Sequence, residues 1–317
     1  MCLTAKGFGQ QLPQFSQYLS NYTVLNPANA VLAKNQLLVG MRSQMMGFGL
    51  EPNSAYVVGH AKLKPKKTHH YNPYIRISQE IPRDTTKYNR LVHALGGGFL
   101  ADRYGAFDVF TTQAFYAIGF ALNNEWKLAG AVKTSFNHSS INKERVLVLN
   151  VNNPYQDYAG GDLVYDQMLS SGGTCATLQI GFSGVLSSDN FLIGISLDQL
   201  SQNTLVLTES FQFYEYKPLF IAMTAYTYKM DESIQIQTGI LVKKTNPAPT
   251  SLEVSSILKY SSKYSVGLHY RHKSSIGIVA AALIKEKIRL TYSYDYITTK
   301  LNLFSNGGHE LTLGYAF

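Results

Sequence analysis

The C-terminal residues 308–317 read GHELTLGYAF, and this stretch decides the fold. Its alternating apolar side chains, at the spacing of a β-strand, are Leu311, Leu313, Tyr315 and Phe317. An aromatic residue at the end of the chain is unusual for a soluble sheet and typical of a lipid-facing strand that ends in an aromatic girdle. The pattern therefore predicts a membrane strand, and we assign these four side chains to barrel insertion.

The stretch before it, residues 286–297, repeats the pattern. Its even positions from Ile288 to Tyr296 are apolar or aromatic, whereas Lys287, Arg289 and Asp295 lie at odd positions. Charged side chains between lipid-like ones suit a wall with a wet lumen on one side and hydrocarbon on the other. Taken alone, these two strands could also form the edge of a soluble β-sandwich.

Composition favours the membrane reading. Charged residues make up 15% of the chain, compared with about 25% in typical soluble domains. The 22 Tyr and 16 Phe residues enrich the side chains that form interfacial belts. No apolar run reaches the ~18 residues that a helical span requires. A β-barrel hides its membrane signal in alternation, which agrees with a mean hydropathy of -0.08.

Alternation along the rest of the chain predicts an all-β fold, namely a transmembrane antiparallel β-barrel of about fourteen strands with long external loops. We place the barrel in residues 36–317. The first predicted strand begins at Gln36. The others cover residues 54–63, 91–101, 105–122, 125–136, 174–186, 190–200, 219–230, 232–243, 251–260, 263–271, 275–284, 286–297 and 308–317.

The lengths of the predicted connections give an independent test. Outer-membrane barrels have short periplasmic turns and longer external loops, which alternate along the chain. From a periplasmic N-terminus, the connections after strands four, six, eight, ten and twelve are all short, whereas residues 137–173 and 201–217 fall on the external side. Residues 64–90 break this rule, because they form a long connection on the periplasmic side. Either this segment has a function there, or it contains an unrecognised strand pair near Tyr74.

Two segments precede the predicted barrel in the sequence. We interpret residues 1–10 as the remnant of a secretory signal peptide. Residues 11–35 carry Pro13 and Pro27 and show no clean period, which predicts an irregular segment. Its aromatic side chains predict that it tucks against or inside the barrel.

Charge and motifs exclude several functions. The net charge of +8 is spread over the strands, and no groove-reading module indicates nucleic acid. No nucleophile elbow or HExxH helix indicates an enzyme. We expect no cofactor, and the spacings of His and Asp residues predict no metal site. One basic cluster could dock an acidic periplasmic partner or be a solvated turn: Lys62, Lys64, Lys66 and Lys67.

Both ends of the chain resemble the PorP/SprF membrane proteins of the type IX secretion system. The resemblance rests on QLPQFSQYLSN followed by NPAN within residues 11–29, on RSQMMGF at residues 42–48, on GGGFLADRYGAF at residues 96–107 and on SNGGHELTLGYAF at the C-terminus. Met45 stands where the family usually has tryptophan. The motif positions carried over to this chain are Gln14, Phe15, Gln17, Tyr18, Asn26 and Pro27.

The resemblance implies a non-enzymatic protein of the cell outer membrane that contacts outer-membrane lipid. Its implied partners are ring or translocon components of the secretion system and the C-terminal domain of a secreted adhesin, with a role in adhesin anchoring and gliding motility. The motif residues would fix the N-terminal segment. Two other functions remain open at this point: a passive porin or solute channel, and a soluble surface β-sandwich.

Overall fold

The computed structural model describes residues 15–47, 51–63, 91–142, 145, 173–201 and 216–317. Fourteen strands form a closed antiparallel barrel in which each strand is hydrogen-bonded to its neighbours in the sequence. The predicted fold class is therefore confirmed. The first strand closes the barrel by pairing with the last, from Gln36 opposite Ala316 to Ser43 opposite His309.

The strands are β1 (Gln36–Ser43), β2 (Asn53–Leu63), β3 (Val92–Tyr104), β4 (Phe107–Ala121), β5 (Lys127–Ile141), β6 (Thr174–Ser187), β7 (Phe191–Asp198), β8 (Leu219–Lys229), β9 (Ile234–Thr245), β10 (Ser251–Tyr260), β11 (Tyr264–Arg271), β12 (Ser275–Ile284), β13 (Ile288–Ile297) and β14 (Gly308–Ala316). Before β1 lie a single helical turn, α1 (Tyr22–Leu25), and a 3-10 helix (Pro27–Val31). Another 3-10 helix, Lys300–Phe304, lies between β13 and β14. The helices among the described residues are all too short or too polar to traverse a bilayer.

The wall has an apolar outer face and a largely polar inner face. On β13, Leu290 and Tyr292 are exposed outward, whereas Thr291, Ser293 and Asp295 are buried inside. The outward side chains of β11 and β12 follow the same rule, with Leu268 62% exposed and Ile278 52% exposed. A belt of exposed apolar side chains around a closed barrel is the surface that hydrocarbon covers.

The two ends of the barrel differ in their connections. We call one end the short-turn rim. It carries the turns 122–126, 188–190, 230–233, 261–263 and 285–287, together with the start of β1 and the end of β14. We call the opposite end the loop rim, and it carries the connections 142–173, 199–218 and 298–307.

Long and short connections thus alternate as the sequence predicted, although the loop rim also has the short turns 105–106 and 272–274. The exceptional connection 64–90, with its suspected strand pair near Tyr74, lies outside the described residues. So does the predicted signal remnant, residues 1–10.

The observed strand ends differ from the predicted ones mainly at the loop rim. β5 continues to Ile141 instead of ending at residue 136, because Asn137 to Ser140 remain paired with β4 and β6. β7 ends at Asp198, two residues before its predicted end. Residues beyond the apolar belt can extend a strand without showing apolar alternation, since the ladder requires only backbone groups.

Candidate functional site

Residues 15–35, which we call the plug, lie inside the barrel. Their polar contacts reach inward-facing groups on several strands of the barrel. Asn21 Nδ2 donates to the hydroxyl of Tyr56 on β2 at 2.8 Å. Gln237 Nε2 on β9 donates to the hydroxyl of Tyr22 at 3.3 Å, and Ser196 Oγ on β7 donates to the carbonyl of Leu25 at 2.9 Å. A segment that contacts strands around the circumference of the barrel must occupy the lumen.

Apolar side chains of the plug form the core of the barrel. Tyr18, Leu19 and Leu25 belong to one buried cluster, which they share with side chains of β8, β9, β10 and β12. Ala28, Ala30 and Val31 belong to a second cluster with β3, β4, β5 and β6. Phe15 packs edge-on against Tyr56 with ring centroids 4.7 Å apart. Burial of this apolar surface stabilises the plug inside the lumen.

Two wall glycines make room for the plug. A Cβ atom on Gly239 of β9 would lie 2.6 Å from Leu19 Cδ2. A Cβ atom on Gly119 of β4 would lie 2.7 Å from Val31 Cγ2. Both distances are well inside van der Waals contact, so the wall and the plug are fitted to each other.

The described residues of the N-terminal motif all belong to the plug. Gln17 Nε2 donates to the carbonyl of Glu310 at 3.1 Å and to that of Thr291 at 3.4 Å. Tyr18 is 1% exposed. Pro27 occupies the first turn of the 3-10 helix, where a missing N–H costs nothing. The remaining motif residue, Gln14, lies outside the described residues. That these residues fix the N-terminal segment stays a prediction until they are substituted.

Asn26 makes three side-chain hydrogen bonds inside the lumen. Its Nδ2 donates to the carbonyl of Gly184 at 3.0 Å and to that of Ile195 at 3.1 Å, which ties the plug to β6 and β7. Its Oδ1 accepts a hydrogen bond from the backbone N–H of Ala28 at 3.1 Å and so caps the 3-10 helix. Asn26 is 0% exposed, so water cannot replace these bonds.

We expect Asn26→Ala to lower the free energy of unfolding of the barrel by about 1–3 kcal/mol, because the helix N–H and the plug lose their buried partner. Denaturant titrations of the refolded protein measure the change. Asn302→Ala is the matched control, because the side chain of Asn302 donates to the exposed hydroxyl of Tyr296. An equal loss in both variants would contradict the anchoring role of Asn26.

An ion-pair network, which we call the buried network, surrounds the start of the plug near the loop rim. Arg42 on β1 contacts Asp295 on β13 at 2.5 Å and Glu310 on β14 at 2.9 Å. His269 Nε2 lies 2.5 Å from the other carboxylate oxygen of Asp295. Arg271 lies 2.8 Å from Glu253 Oε2 on β10. All of these side chains are buried, so each charge depends on its partners instead of water.

Ser16 of the plug lies at the centre of the buried network. Its backbone N–H donates to Glu310 Oε2 at 2.7 Å, and its hydroxyl donates to Asp295 Oδ2 at 2.7 Å. The same hydroxyl oxygen accepts a hydrogen bond from Arg42 Nη1 at 2.5 Å. A cavity of about 370 Å³ opens toward the loop rim, and Arg42, Arg271 and Asp295 line it. The cavity therefore ends at the buried network.

The sequence did not predict this network. Alternation places Asp295 inward, as expected, but Asp295 is only 4% exposed and does not face a wet lumen. The spacing of the histidines predicts no metal site and gives no other role to His269, whose partner is a carboxylate on another strand. One sequence signal could have predicted the network: several inward-facing positions near the same end of the strands carry charged residues. Buried charges require partners, so such residues are expected to pair with one another.

The other predicted site residues lie on the wall. The outward side chains of β14 and the following Phe317 are exposed: Leu311 41%, Leu313 46%, Tyr315 42% and Phe317 59%. Lys62 lies at the short-turn rim, one residue before the end of β2. Lys64, Lys66 and Lys67 lie outside the described residues. Among the described residues, no group of three or more His, Cys, Asp or Glu side chains is arranged to hold a metal ion.

Comparison with known families agrees with this barrel. The family described as type IX secretion system membrane protein PorP/SprF matches residues 7–315, which is nearly the whole chain. The chain belongs to the PorP/SprF family. As a PorP/SprF protein with a closed barrel and an apolar belt, it is a component of the outer membrane. No curated protein matches the sequence closely enough to count as a relative.

This PorP/SprF barrel is similar in outline to several solved structures. Omp33 from Acinetobacter baumannii has 9% sequence identity and a TM-score of 0.46, and the match covers 90% of this chain and 99% of Omp33. The Pseudomonas putida toluene transporter TodX has 10% identity and a TM-score of 0.44, covering 93% of this chain and 91% of TodX. The translocator domain of the autotransporter NalP from Neisseria meningitidis has 10% identity and a TM-score of 0.37, covering 94% and 96%.

Proposed function

We propose that this PorP/SprF barrel is a closed component of the type IX secretion system that supports the secretion and surface anchoring of a large adhesin-type cargo. The plug carries this proposal. A lumen filled by the protein's own residues 15–35 is suited to holding partners at its rims and unsuited to passive transport of solutes.

The two rims divide the proposed contacts. The short-turn rim is the periplasmic side by the rule for outer-membrane barrels, and ring or translocon components of the secretion system bind there. The loop rim faces the exterior, where the C-terminal domain of the secreted adhesin is retained. In a gliding host, this retention would couple the barrel to movement.

We expect a strain that lacks this gene to lose most of the adhesin from its surface, because the cargo is no longer retained at the outer membrane. Surface proteolysis followed by immunoblotting of the adhesin measures the loss, and spreading on a surface measures gliding. Expression of the wild-type gene in trans should restore both. Normal display of the adhesin in the deletion strain would contradict the proposed function.

A further inference from the structure

Five basic side chains surround the mouth of the lumen at the short-turn rim. They lie within two residues of a strand end, on β2, β5, β8, β10 and β13, and strand alternation turns each of them toward the lumen. We call them the basic ring: Lys62, Lys127, Lys229, Lys259 and Arg289. The inward-facing positions at this end of the fourteen strands carry no acidic residue.

The basic ring has no counter-charge within the described residues. None of its five members forms an ion pair there, whereas most buried charges nearer the loop rim are paired, as in the 2.7 Å contact of Lys133 with Asp198. Lys62 lies close enough to Lys127 for the two to repel each other. Lys259 and Arg289 repel each other in the same way. Like charges held at one mouth raise the local potential, and an anionic ligand relieves the repulsion.

The acidic residues of this rim lie in the turns between strands, outside the basic ring. Among the described residues none of them forms an ion pair with a member of the ring, and Asp231 accepts hydrogen bonds from the backbone N–H groups of Ser233 and Ile234.

We propose that the basic ring binds an acidic polypeptide segment of a partner protein. Its charges are distributed over five strands, so a single small anion would reach only part of the ring, whereas a chain with several carboxylates can reach most of it. The plug blocks the way inward, so the ligand stays at the mouth. Membrane lipid head groups lie outside the wall and do not face the ring.

This inference goes beyond the proposed function, because it concerns the chemistry of one partner and does not depend on which cargo is secreted. Its test uses purified protein, so its failure would leave the secretion experiment unaffected. The reverse also holds, since the barrel could bind an acidic segment without any effect on adhesin display.

The experiment measures binding of a fluorescent glutamate-rich peptide to the full-length protein in nanodiscs of uncharged lipid, by fluorescence anisotropy at low salt. The wild-type protein should bind the peptide, and binding should weaken as salt screens the charges. The triple variant Lys127→Gln, Lys229→Gln and Lys259→Gln should bind at least about tenfold more weakly, which corresponds to ~1.4 kcal/mol.

The matched control removes the same charge from the opposite rim. Lys244→Gln, Lys273→Gln and Lys300→Gln together should leave binding within about twofold of wild type, because these side chains lie at the loop rim. Two results would overturn the proposal: no binding by the wild-type protein, or equal losses in both triple variants. The second would show attraction to net charge alone. The circular dichroism spectrum of each variant verifies that the barrel is folded.

Discussion

Arg42→Ala is expected to lower the free energy of unfolding of the barrel by about 3–5 kcal/mol, the largest loss of any single substitution described above. Arg42 contacts Asp295 at 2.5 Å and Glu310 at 2.9 Å, and all three residues are at most 4% exposed. Removal of the guanidinium leaves two neighbouring carboxylates buried with one fewer counter-charge. Uncompensated charge in a buried site costs far more than the pair itself contributes.

The substitution should also loosen the plug. Ser16 Oγ accepts a hydrogen bond from Arg42 Nη1 and donates to Asp295. Disruption of the buried network therefore also weakens the attachment of the first described residues of the plug. Guanidinium chloride titrations in phospholipid vesicles, followed by circular dichroism, measure the global loss. Protease sensitivity of the N-terminal segment measures the local one.

Arg103→Ala is the control for this experiment. Arg103 forms an ion pair with Asp108 at 3.0 Å, but its side chain is 61% exposed. Exposed pairs contribute at most about 1 kcal/mol, since water screens both charges. A loss for Arg42→Ala no larger than the loss for Arg103→Ala would show that the buried network does not hold the plug.

Deletion of residues 15–33 is expected to convert a barrel that passes no steady current into an open channel. The wild-type lumen is filled by two apolar clusters and by the polar contacts of Asn21 and Asn26. Without them, a lumen of fourteen strands with both polar and apolar inward side chains should admit water and ions. Single-channel recordings in planar bilayers measure the change, and a passive porin would conduct before the deletion as well.

Two further variants complete this experiment. Deletion of the 3-10 helix Lys300–Phe304 removes a segment of the loop rim and should leave the current unchanged. The double variant Asn21→Ala and Asn26→Ala retains the plug but weakens its attachment, so it should show brief openings even if the full deletion does not fold. Steady current through the wild-type protein would contradict the closed barrel.

The sequence predicts the wall of this protein much better than its lumen. The observed ends of β10 and β12 coincide with the predicted ones, because short turns bound both strands and their apolar positions alternate without a break. Alternation also assigns the faces, as in the outward Leu311 and the inward Glu310. It fails for β5 beyond Phe136, where the ladder continues but the lipid-facing pattern does not.

The filling of the lumen depends on contacts that no local pattern encodes. Gln17 and Ser16 bond to residues more than 270 positions away in the chain. The plug shows no hydrophobic periodicity, because its side chains contact several different strands of the barrel. No single side of the plug faces solvent. Its aromatic content predicted that it tucks against or inside the barrel, but its partners could not be inferred from the sequence.

The plug also stabilises the pairing of the first strand, β1, with the last strand, β14. Through one serine, Ser16, it is bonded to Arg42 on the first strand, to Glu310 on the last and to Asp295 beside it. Lateral opening of the wall between β1 and β14 must therefore break the bonds of Ser16 in addition to the backbone ladder that pairs residues 36–43 with residues 309–316.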